Sequence, residues 1–449
     1  MASTVFDSEL FADIFGAAEM RAIFSDDNTI ACYVRAEVAL AAAQGRVGVI
    51  PSEDAAAIAA QAPHVVLDRA ELRKDAENVG YPILGLVRQL SAALGEAGRY
   101  VHWGATTQDI MDTAVVLQVR DALALVERDL AAVGSALAAL SVKYRDTVMA
   151  GRTHLQQAAP ITFGYKAAIW LAMVDRHLSR LKQLRERVEV AQLGGAAGTL
   201  ASLGDAALEV RKEYAAALDL AEPDITWHVA RDGLVETVQF LGLVTGSLGK
   251  IGLDVMLMMA TELGEAFEPF AEHRGASSTM PQKRNPISSE VLVANAKAVR
   301  QHAGLMLDAM LQDFERATGP WHAEWIAIPE SFILAGGALR QARFILEGLV
   351  VDASRMRANL DLTKGLIVAE AVMMGLAPHF GRQEAHDRVY AACRLALAQN
   401  RPLYEVLAND AGITGVLGDD RLRHLCDPAN YIGAAAAMVD AVVARRGKP

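Results

Sequence analysis

The sequence predicts an all-α protein built on long helices, and three observations carry that prediction. Hydrophobic residues make up 52% of the 449-residue chain and charged residues 22%, a composition that fills a large core. Alanine is abundant, while Gly and Pro are spaced along the chain rather than clustered, which favours long uninterrupted helices. Apolar residues recur at three- and four-residue spacing, and no stretch shows the two-residue alternation of a strand. The length leaves room for two or three domains.

The first segment, to about residue 110, reads as shorter helices. Arg35 to Gln44 is helical in character, and Gly45, Gly48 and Pro51 punctuate its end. Asn78-Val79-Gly80-Tyr81-Pro82 breaks the chain again, and Pro82 is placed to open a helix through Leu90. His102-Trp103-Gly104-Ala105-Thr106-Thr107-Gln108-Asp109 is a polar turn, with Thr107 or Asp109 suited to cap the helix that follows. That helix runs from Asp112 to about Tyr144. A second polar break, Gly151 to Gln157 and then Pro160, precedes a helix to about Val190. On that helix Trp170, Met173, His177, Leu181, Leu184 and Val188 form one face, so His177 reads as a core or interface histidine.

Leu193-Gly194-Gly195-Ala196-Ala197-Gly198 lacks the preceding strand and the spacing of a dinucleotide loop, and reads as a place of close backbone packing. Leu234 to about Phe267 is apolar almost all round, the pattern of a helix buried on every side. It would be roughly 50 Å long and would call for neighbours from other subunits. Later helices are expected from Pro286 to about Arg316 and from Trp325 through Leu349. After Asp352 shorter pieces follow, with turns at Gly381, Pro402 and Gly412.

Between two of the long helices lies Gly275-Ala276-Ser277-Ser278-Thr279-Met280-Pro281-Gln282-Lys283-Arg284-Asn285-Pro286. Small residues let backbone N–H groups approach a ligand, and Lys283 and Arg284 add positive charge. Asn285-Pro286 reads as an N-cap followed by Pro at the first helical position. The stretch therefore predicts an anion site beside the positive end of a helix.

The net charge of −11 and the lack of a basic run with interleaved aromatics argue against nucleic-acid binding. Three scattered cysteines, Cys32, Cys393 and Cys426, give no disulfide framework or zinc spacing, and the eleven histidines show no metal-ligand spacing. A cytoplasmic protein without metal or cofactor is expected. Met1 to Phe15 carries Asp7, Glu9 and Asp13 without a signal-peptide pattern. The apolar run Leu241–Ala260 is broken by Lys250 and Asp254, so no membrane span is expected.

Taken together, the loop, the Gly151-Arg152-Thr153-His154 stretch and the Gly104–Asp109 stretch resemble the fumarase/aspartase superfamily in order and spacing. That superfamily's signature is Gly-Ser-Ser-x-Met-Pro-x-Lys-x-Asn-Pro; this chain has Ala276 in place of the Gly before the serines and keeps the rest. The resemblance covers essentially the whole chain. It is strongest to the bacterial 3-carboxy-cis,cis-muconate cycloisomerase branch, through Tyr100–Asp112, Gln192–Leu203, Phe267–Pro286, Trp321–Trp325 and Gly365–Met374, beside the adenylosuccinate lyase-like branch. It implies three helical domains, here 1–111, 112–352 and 353–449, and a homotetramer whose active sites are shared between chains.

The superfamily's chemistry removes a proton next to a carboxylate and expels a group from the neighbouring carbon, usually giving fumarate. The resemblance makes Ser277 the general base, a role that needs a positive, water-excluded surround to favour the alkoxide. Lys283 and Asn285 would hold the developing aci-carboxylate, with Ser278 and Met280 as further substrate contacts. His154 stands at the acid position, and Glu290, seven residues after Lys283, would orient it. Thr106, Thr107 and Gln108, helped by Thr153 and Gln157, would bind a substrate carboxylate; Arg316 is a further candidate through its bidentate guanidinium.

Muconate cycloisomerases carry Trp or another residue in place of His154 and a small residue in place of Glu290. This chain departs from them at both positions, which favours a lyase releasing fumarate from a substituted succinate such as an N-substituted aspartate, by cleavage of a C–N or C–O bond. Cycloisomerisation is the alternative; a non-catalytic, crystallin-like role is a third, opposed by the retained site residues. Trp325 after Ala323-Glu324 disfavours a guanidino substrate, and Arg231-Asp232-Gly233 disfavours a purine nucleotide.

Overall fold

The computed structural model describes residues 3–316 and 318–446, and it is overwhelmingly helical. In chain order the helices begin with α1 (Ala12–Phe15), α2 (Ala18–Ile23), α3 (Asp26–Val47), α4 (Ser52–Gln61), α5 (Arg69–Val79), α6 (Ile83–Ala93) and the long α7 (Thr107–Lys143). Strands β1 (Val148–Thr153) and β2 (Gln156–Thr162) lead to α8 (Phe163–Val188), α9 (Ala207–Leu218) and α10 (Asp232–Met259). A two-residue strand β3 (Ala266–Phe267) comes before α11 (Ile287–Ala309) and α12 (Gly319–Glu347), and β4 (Val350–Val351) pairs with β3. The C-terminal helices are α13 (Ala353–Leu360), α14 (Ala369–Phe380), α15 (Arg382–Gln399), α16 (Leu403–Ala408), α17 (Ala411–Leu417), α18 (Asp419–Cys426) and α19 (Ala435–Arg446).

The chain divides into two units, each assembled from three segments. The first comprises Met1–Leu130, His177–Gly246 and Ala294–Arg340; the second comprises Ala131–Arg176, Ser247–Val293 and Gln341–Pro449. In the first unit Leu40, Ile58, Leu86, Leu90, Leu117 and Tyr214 belong to one apolar core. Each large aliphatic side chain buried there contributes about 1.5–3 kcal/mol. His177 is buried in this unit with its ring 6.3 Å from that of Phe240, the place of a core histidine. In the second unit Val372, Leu376, Leu403, Leu407 and Leu422 form the core of the C-terminal helices, and a smaller cluster joins Ala150 to Leu360 and Val368.

Several boundaries differ from the sequence reading. The α3 helix extends well beyond Arg35–Gln44, because Ser25 accepts from Asn28 N at its start and Gly48, with φ +83°, ends it. The α7 helix opens at Thr107, not Asp112, and neither Thr107 nor Asp109 is its cap. Thr106 precedes the helix, and the Asp109 carboxylate reaches back to accept from Thr106 N at 2.9 Å, the return half of a capping box. The α10 helix stops at Met259, and α11 stops at Ala309 rather than near Arg316. Gly412 lies inside α17; the turn there belongs to Asp410, whose side chain accepts from Gly412 N and Ile413 N.

The expectation of no strands is overturned by the β1–β2 hairpin, which pairs antiparallel from Val148/Thr162 to Thr153/Gln156. Its turn is His154-Leu155, both with positive φ (50° and 61°), in place of the Asn-Gly that would have announced it. The α10 helix is long and apolar enough to cross a membrane by length and composition, yet it carries a Lys250–Asp254 ion pair at 2.5 Å. Trp170 Nε1 also donates to Asp254, at 3.2 Å. Burial lowers the nearby Lys166 ammonium below its ordinary value, against the pull of Asp254.

Candidate active site

The sequence-predicted residues fall in both units. In the first unit they gather at the start of α7. Thr106 Oγ1 accepts a hydrogen bond from the Arg316 guanidinium, while Arg316 Nε is buried without a partner. A guanidinium anchored at one nitrogen and carrying an orphaned N–H is prepared for an incoming carboxylate.

Gln108 is placed differently from its expected role. Its Nε2 donates to Asp112 Oδ2 at 3.1 Å and to the His228 carbonyl at 2.9 Å, so both amide protons are spent. The remaining Oε1 is a buried acceptor, which would repel a carboxylate. Gln108 in this arrangement buttresses the turn rather than offering donors.

The turn is held by Asp109, which is fully buried. Its carboxylate accepts from Thr106 N, Gly194 N (2.8 Å), Gly195 N (2.9 Å) and His228 Nε2 (2.7 Å). This explains the glycine-rich stretch as close packing: a Cβ on Gly194 would lie 2.6 Å from Thr226 Oγ1. Arg231 is likewise fully buried and bridges Asp112 (2.7 and 2.9 Å) and Glu324 (2.9 and 2.5 Å). Burial pushes the Glu324 carboxyl above its ordinary range, with Arg231 opposing. His102, with φ +62°, pairs with the buried Glu37 at 2.6 Å. Burial opposes its charged form, but the Glu37 charge and hydrogen bond outweigh it, so His102 is raised above its ordinary value.

In the second unit the signature loop is closed at its neck. Asn285 N donates to Gly275 O at 2.8 Å, and Ala276 pairs with Arg284 in an isolated bridge. Gly275 has φ +70°, and a Cβ there would meet Asn285 O at 2.4 Å, so the neck requires glycine. Within the loop, Ser277 Oγ accepts from Thr279 N (3.3 Å) and Met280 N (3.0 Å). Two N–H dipoles aimed at one hydroxyl oxygen favour its deprotonated form. Ser278, Met280 and Lys283 are exposed.

The helix behind the loop does not serve as the expected anion site. It starts at Ile287, so Pro286 takes the cap position and Asn285 stands outside it. Two of its leading N–H groups are already taken by Glu268, a buried carboxylate that accepts from Ser289 N and Ser289 Oγ at 2.7 Å and Ser288 N at 3.4 Å. An internal carboxylate thus occupies the positive end of α11. Arg274 braces the same point through Ser288 Oγ and Gln341 Oε1.

His154 occupies the exposed hairpin tip beside exposed Thr153, and Glu290 is exposed on the first turn of α11. Among the described residues no hydrogen bond joins His154, Glu290 or Ser277 to one another. Below the tip, Arg152 makes a paired contact with the buried Glu265 (2.8 and 2.6 Å), Asn359 donates to the same carboxylate, and Gln157 Nε2 donates to Asn359 O at 2.7 Å. Gln157 therefore helps fix the hairpin and keeps a buried, unpartnered Oε1.

His228 and Glu268 had no role in the sequence reading, Asp109 entered it only as a possible cap, and the buried bonding of Asp112 and Glu324 was missed. The available signal was an acidic or imidazole side chain set among apolar neighbours, as in Phe267-Glu268-Pro269-Phe270.

Comparison with known sequences matches residues 15–300 to the lyase family and residues 365–442 to the adenylosuccinate lyase C-terminus. The chain belongs to the fumarase/aspartase superfamily. It is similar in structure to a fumarate lyase from Mesorhizobium sp. BNC1, with a TM-score of 0.92, 56% identity, and coverage of 97% of this chain and 99% of that one. A 3-carboxy-cis,cis-muconate cycloisomerase of Pseudomonas aeruginosa is 48% identical over 97% of this chain and 96% of its own. An N-acetyl-S-(2-succino)cysteine lyase of Dickeya dadantii is 41% identical over 99% of this chain and 98% of its own. This superfamily member is thus similar, along its whole length, to relatives of two different activities.

Proposed function

We propose that the protein is a cytoplasmic lyase that expels a heteroatom-bonded group from a 2-substituted succinate, such as an N-substituted aspartate, and releases fumarate. The observation that carries this reading is Ser277, whose Oγ receives two backbone N–H groups within a loop that also presents Lys283. In the proposed sequence Arg316 and Thr106 of one copy bind a substrate carboxylate, and Ser277 of another copy takes the proton from the carbon beside a second carboxylate. Lys283 and the Asn285 amide hold the aci-carboxylate that forms. His154, oriented by Glu290, protonates the departing nitrogen or oxygen.

Elimination is favoured over lactonisation by the retention of both His154 and Glu290, each exposed in the single chain and available to meet a partner from another copy. Exposed Leu243, Leu253 and Leu257 on the apolar α10 support a homotetramer in which sites are completed between chains. The relative that cleaves a succinyl-cysteine thioether extends the candidate leaving groups to sulfur.

Cycloisomerisation of 3-carboxymuconate is the second reading, supported by the 48% identical cycloisomerase. Incubating the purified protein in parallel with N-substituted aspartates, S-succinyl thiols and 3-carboxymuconate separates the two. Fumarate release without lactone is expected; lactone formation without fumarate from any succinyl donor overturns the proposal.

A further inference from the structure

The first unit contains a cavity of about 250 Å³ whose walls include Phe24, Tyr33, Met111, Trp321, Trp325 and Ile328. Met111 and Asp112 bring it to α7, one turn past Thr107. Two aromatic side chains form its α12 side: Trp321 and Trp325 stand edge to face with ring centres 5.0 Å apart. Tyr81, which is not part of the wall, packs on Trp321 at 6.4 Å. An apolar cavity of about 150 Å³ accepts a benzene ring, so this volume suits one ring with a short substituent.

The polar groups in the wall define what that ring can carry. The charged wall residues are Asp112 and Glu324, and both face Arg231, which supplies one positive charge to two carboxyl groups. Trp321 Nε1 is committed to Asp112 Oδ1 at 3.2 Å. Gln118 spends both Nε2 protons, on Ile23 O (2.8 Å) and Thr29 Oγ1 (2.9 Å), leaving an acceptor. No lysine or arginine is among the lining residues. A carboxylate or phosphate entering here would lose its hydration and meet acceptors and a net negative cluster.

We infer that this cavity binds a ring-bearing group without negative charge, and that it receives the leaving group of the substrate, with Trp325 as the specificity-determining wall. The leaving-group assignment rests on the elimination reading above; the ring selectivity rests on the cavity alone. Trp325 is partly exposed and contacts Trp321 and His322, so its face is available to a ligand.

The full-length protein is titrated with benzyl alcohol, benzylamine and benzoate, following intrinsic tryptophan fluorescence and isothermal heats. Benzyl alcohol and benzylamine are expected to bind at least about tenfold more tightly than benzoate. Trp325→Ala is expected to weaken both by about fivefold, and Trp325→Phe to restore most of the loss. Equal affinity for benzoate, or unchanged affinity in Trp325→Ala with a wild-type melting curve, overturns the inference. In a second arm, kcat/KM for N-benzylaspartate is expected to exceed that for N-(carboxymethyl)aspartate, and Trp325→Ala to narrow the gap. Selective ring binding with no fumarate from either compound removes the elimination reading and the leaving-group assignment together, while the ring site stands. Fumarate release with a preference for the carboxymethyl compound overturns the assignment alone.

Discussion

Glu268 holds Ser289 twice, accepting from its backbone N–H and from its hydroxyl, each at 2.7 Å. The carboxylate thereby caps α11 from a position twenty-one residues upstream and pins one end of the signature loop.

Glu268→Ala is expected to destabilise the protein by about 2–3 kcal/mol, because a buried helix end loses its charged acceptor. Glu268→Gln keeps one acceptor and should cost less. Urea denaturation of the three proteins side by side checks the order; equal stability of wild type and Glu268→Ala would show that the cap is not worth its burial.

Ser277→Ala should lower kcat by about two to four orders of magnitude while leaving the melting curve within about 0.5 kcal/mol of wild type. Steady-state fumarate release with a succinyl donor reads the first quantity. A variant that turns over normally would remove Ser277 as the base.

His154→Asn keeps a residue that tolerates the positive φ of the hairpin tip but cannot deliver a proton. Its rate loss should be largest for poor leaving groups such as amines and smallest for thiols. Equal loss across such a series would argue against an acid role.

Arg231→Met leaves Asp112 and Glu324 buried without their cation, which should cost about 3–5 kcal/mol. Adding Asp112→Asn and Glu324→Gln should recover a large part of that loss. Thermal or urea unfolding of the single and triple variants measures the recovery, and a triple variant no more stable than Arg231→Met would refute the assignment.

The His102–Glu37 pair predicts a pH dependence. Since His102 is raised in the folded protein above its ordinary value of 6.5, folding takes up protons there. The stabilisation is complete below about pH 6.5 and is lost as pH rises through the folded value. The stability difference between wild type and His102→Gln should therefore shrink as pH is raised. Urea midpoints across that range would show it; a difference that grows with pH would contradict the pairing.

The long helices were legible because their apolar residues keep helical period over many turns, as along Trp170 to Val188. The hairpin was not, since Val148-Met149-Ala150-Gly151-Arg152-Thr153 has no alternation and turns through His154-Leu155. The signature loop was legible as residue types, including Ser277, Lys283 and Asn285. What could not be read was who satisfies whom. The Asn285-Pro286 pair suggested an open helix end, but Glu268 fills it. Gln108 suggested a carboxylate donor, but Asp112 and the His228 carbonyl consume its protons. Such partners lie far apart in sequence, and nothing local marks them.

The Asp109 carboxylate ties Thr106 to Gly194, Gly195 and His228, the last of them 119 residues downstream. On a ribosome adding about 5–20 residues per second, those 119 residues take about 6–24 s to emerge. For that interval the Asp109 carboxylate has Thr106 N but not its histidine, and for most of it the Gly194 and Gly195 N–H groups are also still to come. The bond network that fixes the opening of α7 is thus completed late in biosynthesis, by a histidine made well after the helix it helps to hold.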